Sequence, residues 1–195
     1  METDLIFPVP IWRKQLDIDS NTLNDIKDIC INLKNKVPGR TLTNRGGYQS
    51  NDISSILYNK YPLNLIYDYI NNAIKSLEQE LHVDRNINLK ISNMWLNINR
   101  KGDTNVAHNH ARSTFSGIIY IASYKNNQGA VFENPHPAEQ FYLNNITSAS
   151  SPLASRYYMV SSQPGMMYIF PSWLFHYVPA YEGDDERITI AFNIQ

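Results

Sequence analysis

Two histidines one residue apart, in Ala107-His108-Asn109-His110, are the first place in this 195-residue chain where residue types and spacing point to chemistry. On an extended strand, residues i and i+2 project from one face and the residue between them points the other way. Two imidazoles so placed can hold one metal ion if a third ligand comes from elsewhere; the alternative is a pair of ordinary surface or core histidines. His176 offers the third ligand. It lies in Phe170-Pro171-Ser172-Trp173-Leu174-Phe175-His176-Tyr177-Val178, an apolar stretch where a lone imidazole would be costly to bury without a partner.

Arg187 follows His176 by eleven residues and opens an alternating segment. Ile188, Ile190, Phe192 and Ile194 make its apolar face; Arg187, Thr189, Ala191 and Asn193 make the other. The split recurs upstream, where Asn93, Trp95, Asn97 and Asn99 share a face. A polar strand face is commonly the wet side of a sheet. Inside a closed barrel the same face would line a polar cavity, and the histidines favour the cavity.

At these residues the chain resembles a known family. Ser92-Asn93-Met94-Trp95-Leu96-Asn97-Ile98-Asn99, His108-Asn109-His110, Ser116-Gly117-Ile118-Ile119-Tyr120, the Phe170–His176 segment and Arg187-Ile188-Thr189-Ile190-Ala191-Phe192-Asn193 are similar to 2-oxoglutarate/Fe(II) oxygenases of bacteria and marine phages. Gly46-Gly47-Tyr48-Gln49-Ser50 also fits, so the likeness covers residues 45–195. It implies a double-stranded β-helix with Fe(II) on His108, His110 and His176, leaving positions for 2-oxoglutarate and O₂. It further implies that Arg187 grips the distal carboxylate of 2-oxoglutarate in a paired, charge-assisted contact. Thr189 can share that carboxylate, Tyr120 can hydrogen-bond the co-substrate or be plain core, and Asn97 and Asn193 are cavity candidates. The implied reaction releases succinate and CO₂ and most simply hydroxylates a substrate.

Position 110 departs from the wider superfamily, where a carboxylate usually stands. Three neutral imidazoles leave the full +2 charge on the metal. Asp103 as third ligand, or a site with His108 and His176 alone, are the alternatives. Two rival classes follow: a cupin-like three-histidine enzyme that does not use 2-oxoglutarate, and a non-catalytic metal-binding protein.

The elements that must position these residues divide the chain in two. Residues 1–88 read as helical and extended support, and 89–195 as the jelly-roll core of one α+β domain. Prolines make the opening Leu5–Arg13 extended. Asp19-Ser20-Asn21 caps a helix whose stripe runs Leu23, Ile26, Ile29, Cys30, Leu33, Val37 and which Pro38-Gly39 closes; a second helix runs from Pro62 to Leu81. Both are expected to pack on one sheet. Strands are expected over 91–99, 105–112, 114–123, 129–133, 156–161, 165–170, 176–181 and 187–194. Eight short strands at this spacing suggest a sandwich, barrel or jelly roll. Gly46-Gly47 reads as an ordinary turn or a lid, and the polar run 144–155 as a flexible loop near the cavity mouth. Trp95 and Cys30 read as core, His136 as a loop histidine, and His82 as a helix end.

Composition bounds the rest. Charged residues are only 18% and hydrophobic ones 43%, which excludes a disordered chain. A net charge of −1 lacks the basic footprint of a nucleic-acid binder. One cysteine excludes a disulfide framework. With no apolar run long enough to span a bilayer and no basic start, the expected location is the cytoplasm, a host's if the protein is phage-encoded. The substrate, small or peptidyl, and the oligomeric state are not legible.

Overall fold

The computed structural model describes residue 2 and residues 7–124, 129–136 and 155–195. Among the described residues three helices and eleven strands follow in the order β1 (Trp12–Gln15), α1 (Ser20–Lys34), β2 (Asn44–Arg45), β3 (Tyr48–Gln49), α2 (Ser54–Asn59), α3 (Leu63–Glu80), β4 (Ile91–Asn99), β5 (Thr104–His108), β6 (Phe115–Ala122), β7 (Val131–Glu133), β8 (Tyr157–Met159), β9 (Met166–Pro171), β10 (His176–Val178) and β11 (Arg187–Ile194). The strands form two antiparallel sheets, one of six in the order β1-β9-β6-β11-β4-β3 and one of five in the order β2-β5-β10-β7-β8.

Local chemistry explains the helices. Asp19 caps α1, accepting the Asn21 and Thr22 N–H groups at 2.9 and 3.0 Å. α3 ends with His82 in the left-handed region, φ 50°, while Val83 N–H donates to Glu78 O and His82 N–H to Gln79 O. His82 thus closes the helix through its backbone. α2 was not expected: at six residues it is too short to show a periodic stripe.

The alternation of β11 decides which side the helices cover. Ile188, Ile190, Phe192 and Ile194 join Met94, Leu96, Ile98, Ile119 and Ile169 on one face of the six-stranded sheet. Ile26, Cys30 and Leu33 of α1, Leu57 of α2, and Ile66, Ile70 and Leu77 of α3 pack onto it. Burying each large aliphatic side chain here contributes about 1.5–3 kcal/mol. Burial also pushes the Cys30 thiol up to about 12, which makes it an inert core residue. At Gly117 a Cβ would stand 2.1 Å from the Phe192 ring, so the glycine is what seats that ring.

The opposite face of this sheet meets the five-stranded sheet. A smaller cluster there includes Phe132, Val160, Tyr168, Phe170 and Leu174. Gly46 and Gly47, at φ 69° and 65°, carry the chain from β2 in one sheet to β3 in the other. A Cβ on Gly46 would fall 2.0 Å from Asp103 Oδ1, so this tight turn is packed against that carboxylate. Of the run 144–155, all but Ser155 lies outside the described residues, as does the turn 125–128. No helix among the described residues is long and apolar enough to cross a membrane.

Candidate metal centre and cavity

His108 ends β5, His176 opens β10, and the two are direct partners in the ladder between those strands. Cross-strand pairing sets side by side two imidazoles far apart in the chain. His110 arrives differently. The expected strand over 105–112 stops at His108, where its pairing with β10 ends, so His110 stands beyond the strand and not on its face. Its N–H donates to Ser172 O at 2.8 Å, and Ser113 N–H donates to His110 O at 3.2 Å. The three imidazoles nevertheless converge, with one ring nitrogen of each within 4.8 Å of the others.

Hydrogen bonds choose the tautomers. His108 Nδ1–H donates to Val106 O at 2.7 Å and His176 Nδ1–H to Leu174 O at 3.0 Å. A carbonyl only accepts, so Nδ1 carries the proton and Nε2 keeps its lone pair. The aromatic rings of Phe170 and Phe132 wall His176, their centroids 4.8 and 5.6 Å from the imidazole. Trp95 lies beside His110 at 5.6 Å. Burial, reinforced by the neighbouring imidazoles, pushes His176 down to about 3 and His110 down to about 4; burial also lowers His108. All three are therefore neutral at pH 7, the form that ligates a metal.

These shifts make the metal-free protein acid-sensitive. Each folded-state pKa lies below the ordinary histidine value of about 6.5, so the unfolded chain binds more protons below that pH. Stability is full above about 6.5 and is lost as pH falls toward the depressed values. Between pH 7 and pH 5 the Tm should drop by about 5–10 °C. His176→Gln should flatten the profile in a thermal melt series; a wild-type profile already flat would contradict the burial argument.

The polar faces of β4 and β11 line the cavity between the sheets. Register places Arg187 opposite Asn99, Thr189 opposite Asn97 and Ala191 opposite Trp95, with Tyr120 on the other side of Thr189. All of these border the cavity, as do the three histidines. Arg187 is 1% exposed, and although burial lowers its pKa, a guanidinium keeps its proton. Asn97 Nδ2 donates to Thr189 Oγ1 at 3.4 Å. Burial pushes Tyr120 up to about 12, so it is a neutral phenol; it accepts Ala130 N–H at 2.9 Å and keeps its own proton to donate.

Asn193 is the exception among the expected residues. It shares the face of Arg187 but does not border the cavity, and its Oδ1 accepts from Ser116 Oγ at 2.7 Å. Ser116 in turn contacts Ser172 Oγ at 2.8 Å, beside the carbonyl that holds His110. Alternation assigns a face but not the depth along it. Trp95, read from sequence as core, is buried and also borders the cavity, and Asn99 and Asn105 join it. Asn99 lay on the polar face of β4, which was the available signal; Asn105 carried none. Asp103 is committed elsewhere, its Oδ2 accepting Arg100 N–H at 2.7 Å. His136 is exposed past the end of β7.

The fold has known counterparts. A prolyl-4-hydroxylase from Pseudomonas putida superposes with a TM-score of 0.63 at 12% identity, covering 95% of this chain and 92% of its own. The viral collagen prolyl hydroxylase of Paramecium bursaria Chlorella virus-1, solved with 2-oxoglutarate, gives 0.59 at 10% identity over 94% of each chain. HygX from Streptomyces hygroscopicus, solved with nickel, 2-oxoglutarate and hygromycin B, gives 0.63 at 8% identity, over 95% and 82%. No curated protein matches the sequence significantly. Residues 93–193 match the family model described as "Putative 2OG-Fe(II) oxygenase". That span holds every strand lining the cavity and sets aside the cupin-like and non-catalytic alternatives: the chain belongs to the 2-oxoglutarate- and Fe(II)-dependent oxygenases, enzymes that use Fe(II), 2-oxoglutarate and O₂.

Proposed function

We propose that His108, His110 and His176 hold the Fe(II), that Arg187 and Thr189 bind the distal carboxylate of 2-oxoglutarate, and that the enzyme hydroxylates a substrate C–H bond. The observation that carries this reading is the convergence of three imidazoles within 4.8 Å in the cavity that Arg187 also borders. The donor set fits: three neutral nitrogens suit a divalent iron ion, and the arginine suits the far end of a dicarboxylate chelated at the metal. When bound, iron and 2-oxoglutarate supply the oxidising chemistry, in which O₂ and the oxo acid become succinate, CO₂ and the hydroxyl of the product.

The protein's own groups have defined parts. Val106 O and Leu174 O orient two imidazoles so that Nε2 faces the metal position. Tyr120 donates its hydroxyl proton to the co-substrate carboxylate, and Asn97 steadies Thr189. Phe170 and Trp95 keep water from the reacting centre. The two facing sheets are read as a closed double-stranded β-helix over 89–195, with 1–88 as its support in a single domain, working in the cytoplasm (a host's, if phage-encoded). Anaerobic Fe(II) protein titrated with 2-oxoglutarate should develop a metal-to-ligand charge-transfer band, and air should then yield succinate and CO₂. If millimolar 2-oxoglutarate produces neither the band nor a thermal shift, the co-substrate assignment fails.

A further inference from the structure

The loop between β10 and β11 has no part in the reading above, yet it is organised around one ring. Tyr181, 5% exposed, turns its face to Arg187, whose Cζ lies 5.0 Å from the ring centroid. The hydroxyl is held from two sides, donating to Asp185 Oδ1 at 2.9 Å and accepting Tyr124 N–H at 2.8 Å. The backbone is held as well, with Tyr181 N–H to Asp103 O at 3.0 Å and Gly102 N–H to Tyr181 O at 2.8 Å. Gly183 approaches so closely that a Cβ would stand 2.6 Å from Tyr181 Cζ. Ion pairs Lys101–Asp184 at 2.7 Å and Arg100–Glu186 at 2.9 Å join the same loop to the turn before β5. Exposed ion pairs add little by themselves. The backbone bonds and the anchored hydroxyl are what stop the ring from swinging away.

A long arginine side chain has several rotatable bonds, and ordering it on binding would cost affinity. A cation resting on an aromatic face is ordered beforehand. We propose that Tyr181 is a positioning residue that fixes the Arg187 guanidinium and thereby sets the length of the 2-oxo diacid the site accepts. The proposal rests on the reading of Arg187 as the partner of the distal carboxylate. A guanidinium seated on the ring holds one end of the diacid at a fixed place while the metal would hold the other, so one chain length is favoured; without the ring the site would discriminate less between lengths.

The test titrates anaerobic Fe(II) protein with three oxo acids: 2-oxoglutarate, 2-oxoadipate with one more carbon, and 2-oxopentanoate, which lacks the distal carboxylate. Charge-transfer absorbance reports binding. Tyr181→Leu should weaken 2-oxoglutarate by about five- to thirtyfold. It should leave 2-oxopentanoate within about twofold and narrow the preference over 2-oxoadipate, by the same reasoning. Tyr181→Phe keeps the aromatic face but gives up the hydroxyl anchor, and should fall between wild type and Tyr181→Leu. An unchanged Fe(II) affinity shows that Tyr181→Leu is folded; if that variant loses metal, Gly183→Ala, which displaces the ring, is read in its place. Unaltered 2-oxoglutarate affinity, or equal weakening of 2-oxopentanoate, would overturn the proposal. A wild type that does not distinguish 2-oxoglutarate from 2-oxopentanoate would instead overturn the role given to Arg187.

Discussion

Arg187→Met is expected to weaken 2-oxoglutarate binding by roughly ten- to a thousandfold, because hydrogen bonds to charged groups contribute about 1.5–3 kcal/mol each and a buried carboxylate left without its partner costs more. The guanidinium is 1% exposed, so water cannot replace it. Methionine matches the length of the aliphatic stem and limits the cavity left behind. Fe(II) affinity measured without the co-substrate should stay the same, since Arg187 is not among the three converging nitrogens. Arg187→Lys should recover only part of the loss: an ammonium keeps the charge but not the planar fork. The charge-transfer titration reads both variants beside the wild type. A 2-oxoglutarate affinity unchanged in Arg187→Met would remove this residue from the site.

The second large effect belongs to the histidines. His176→Ala should lose most of the Fe(II) bound by anaerobically purified protein, whose wild type should hold about one ion per chain. Of the three converging imidazoles His176 is the one walled by two phenylalanine rings, and among the described residues no further His, Cys, Asp or Glu joins the cluster. His110 is the more informative position, since it reaches the site from a turn and not from a strand. His110→Ala should weaken metal binding, while His110→Asp should retain it by supplying an anionic ligand. Metal affinity unaltered in His110→Ala would mean a two-histidine site, and retention by both His108→Ala and His176→Ala would discard the centre altogether. Near-native melting of each variant separates ligand loss from misfolding.

Part of this was written in one dimension. The period-two alternation of 187–194 and 91–99 already separated Arg187, Thr189 and Asn97 from the apolar residues that meet the helices, because strand geometry ties face to parity. The two long helices were equally legible, since a three-and-four stripe is a local property, as is the Asp19 cap of α1. The turn that carries His110 was less so: a strand ends where its partner ends, and the partner of His108 lies far away in sequence. The ring behind Arg187 had no signal, as Glu182-Gly183-Asp184-Asp185 reads only as a turn.

By itself, then, the sequence determined which side chains lie on the polar faces of β4 and β11 and which residue types were available to bind a metal and a dicarboxylate. Only the tertiary structure decided that His110 leaves the strand and still meets His108 and His176, that Asn193 serves a serine network while Trp95 borders the cavity, and that Tyr181 backs Arg187. The reason is physical. Parity and periodicity act over a few residues, whereas the depth of a side chain along a face and the contacts of a loop depend on partners brought by distant pairing and packing.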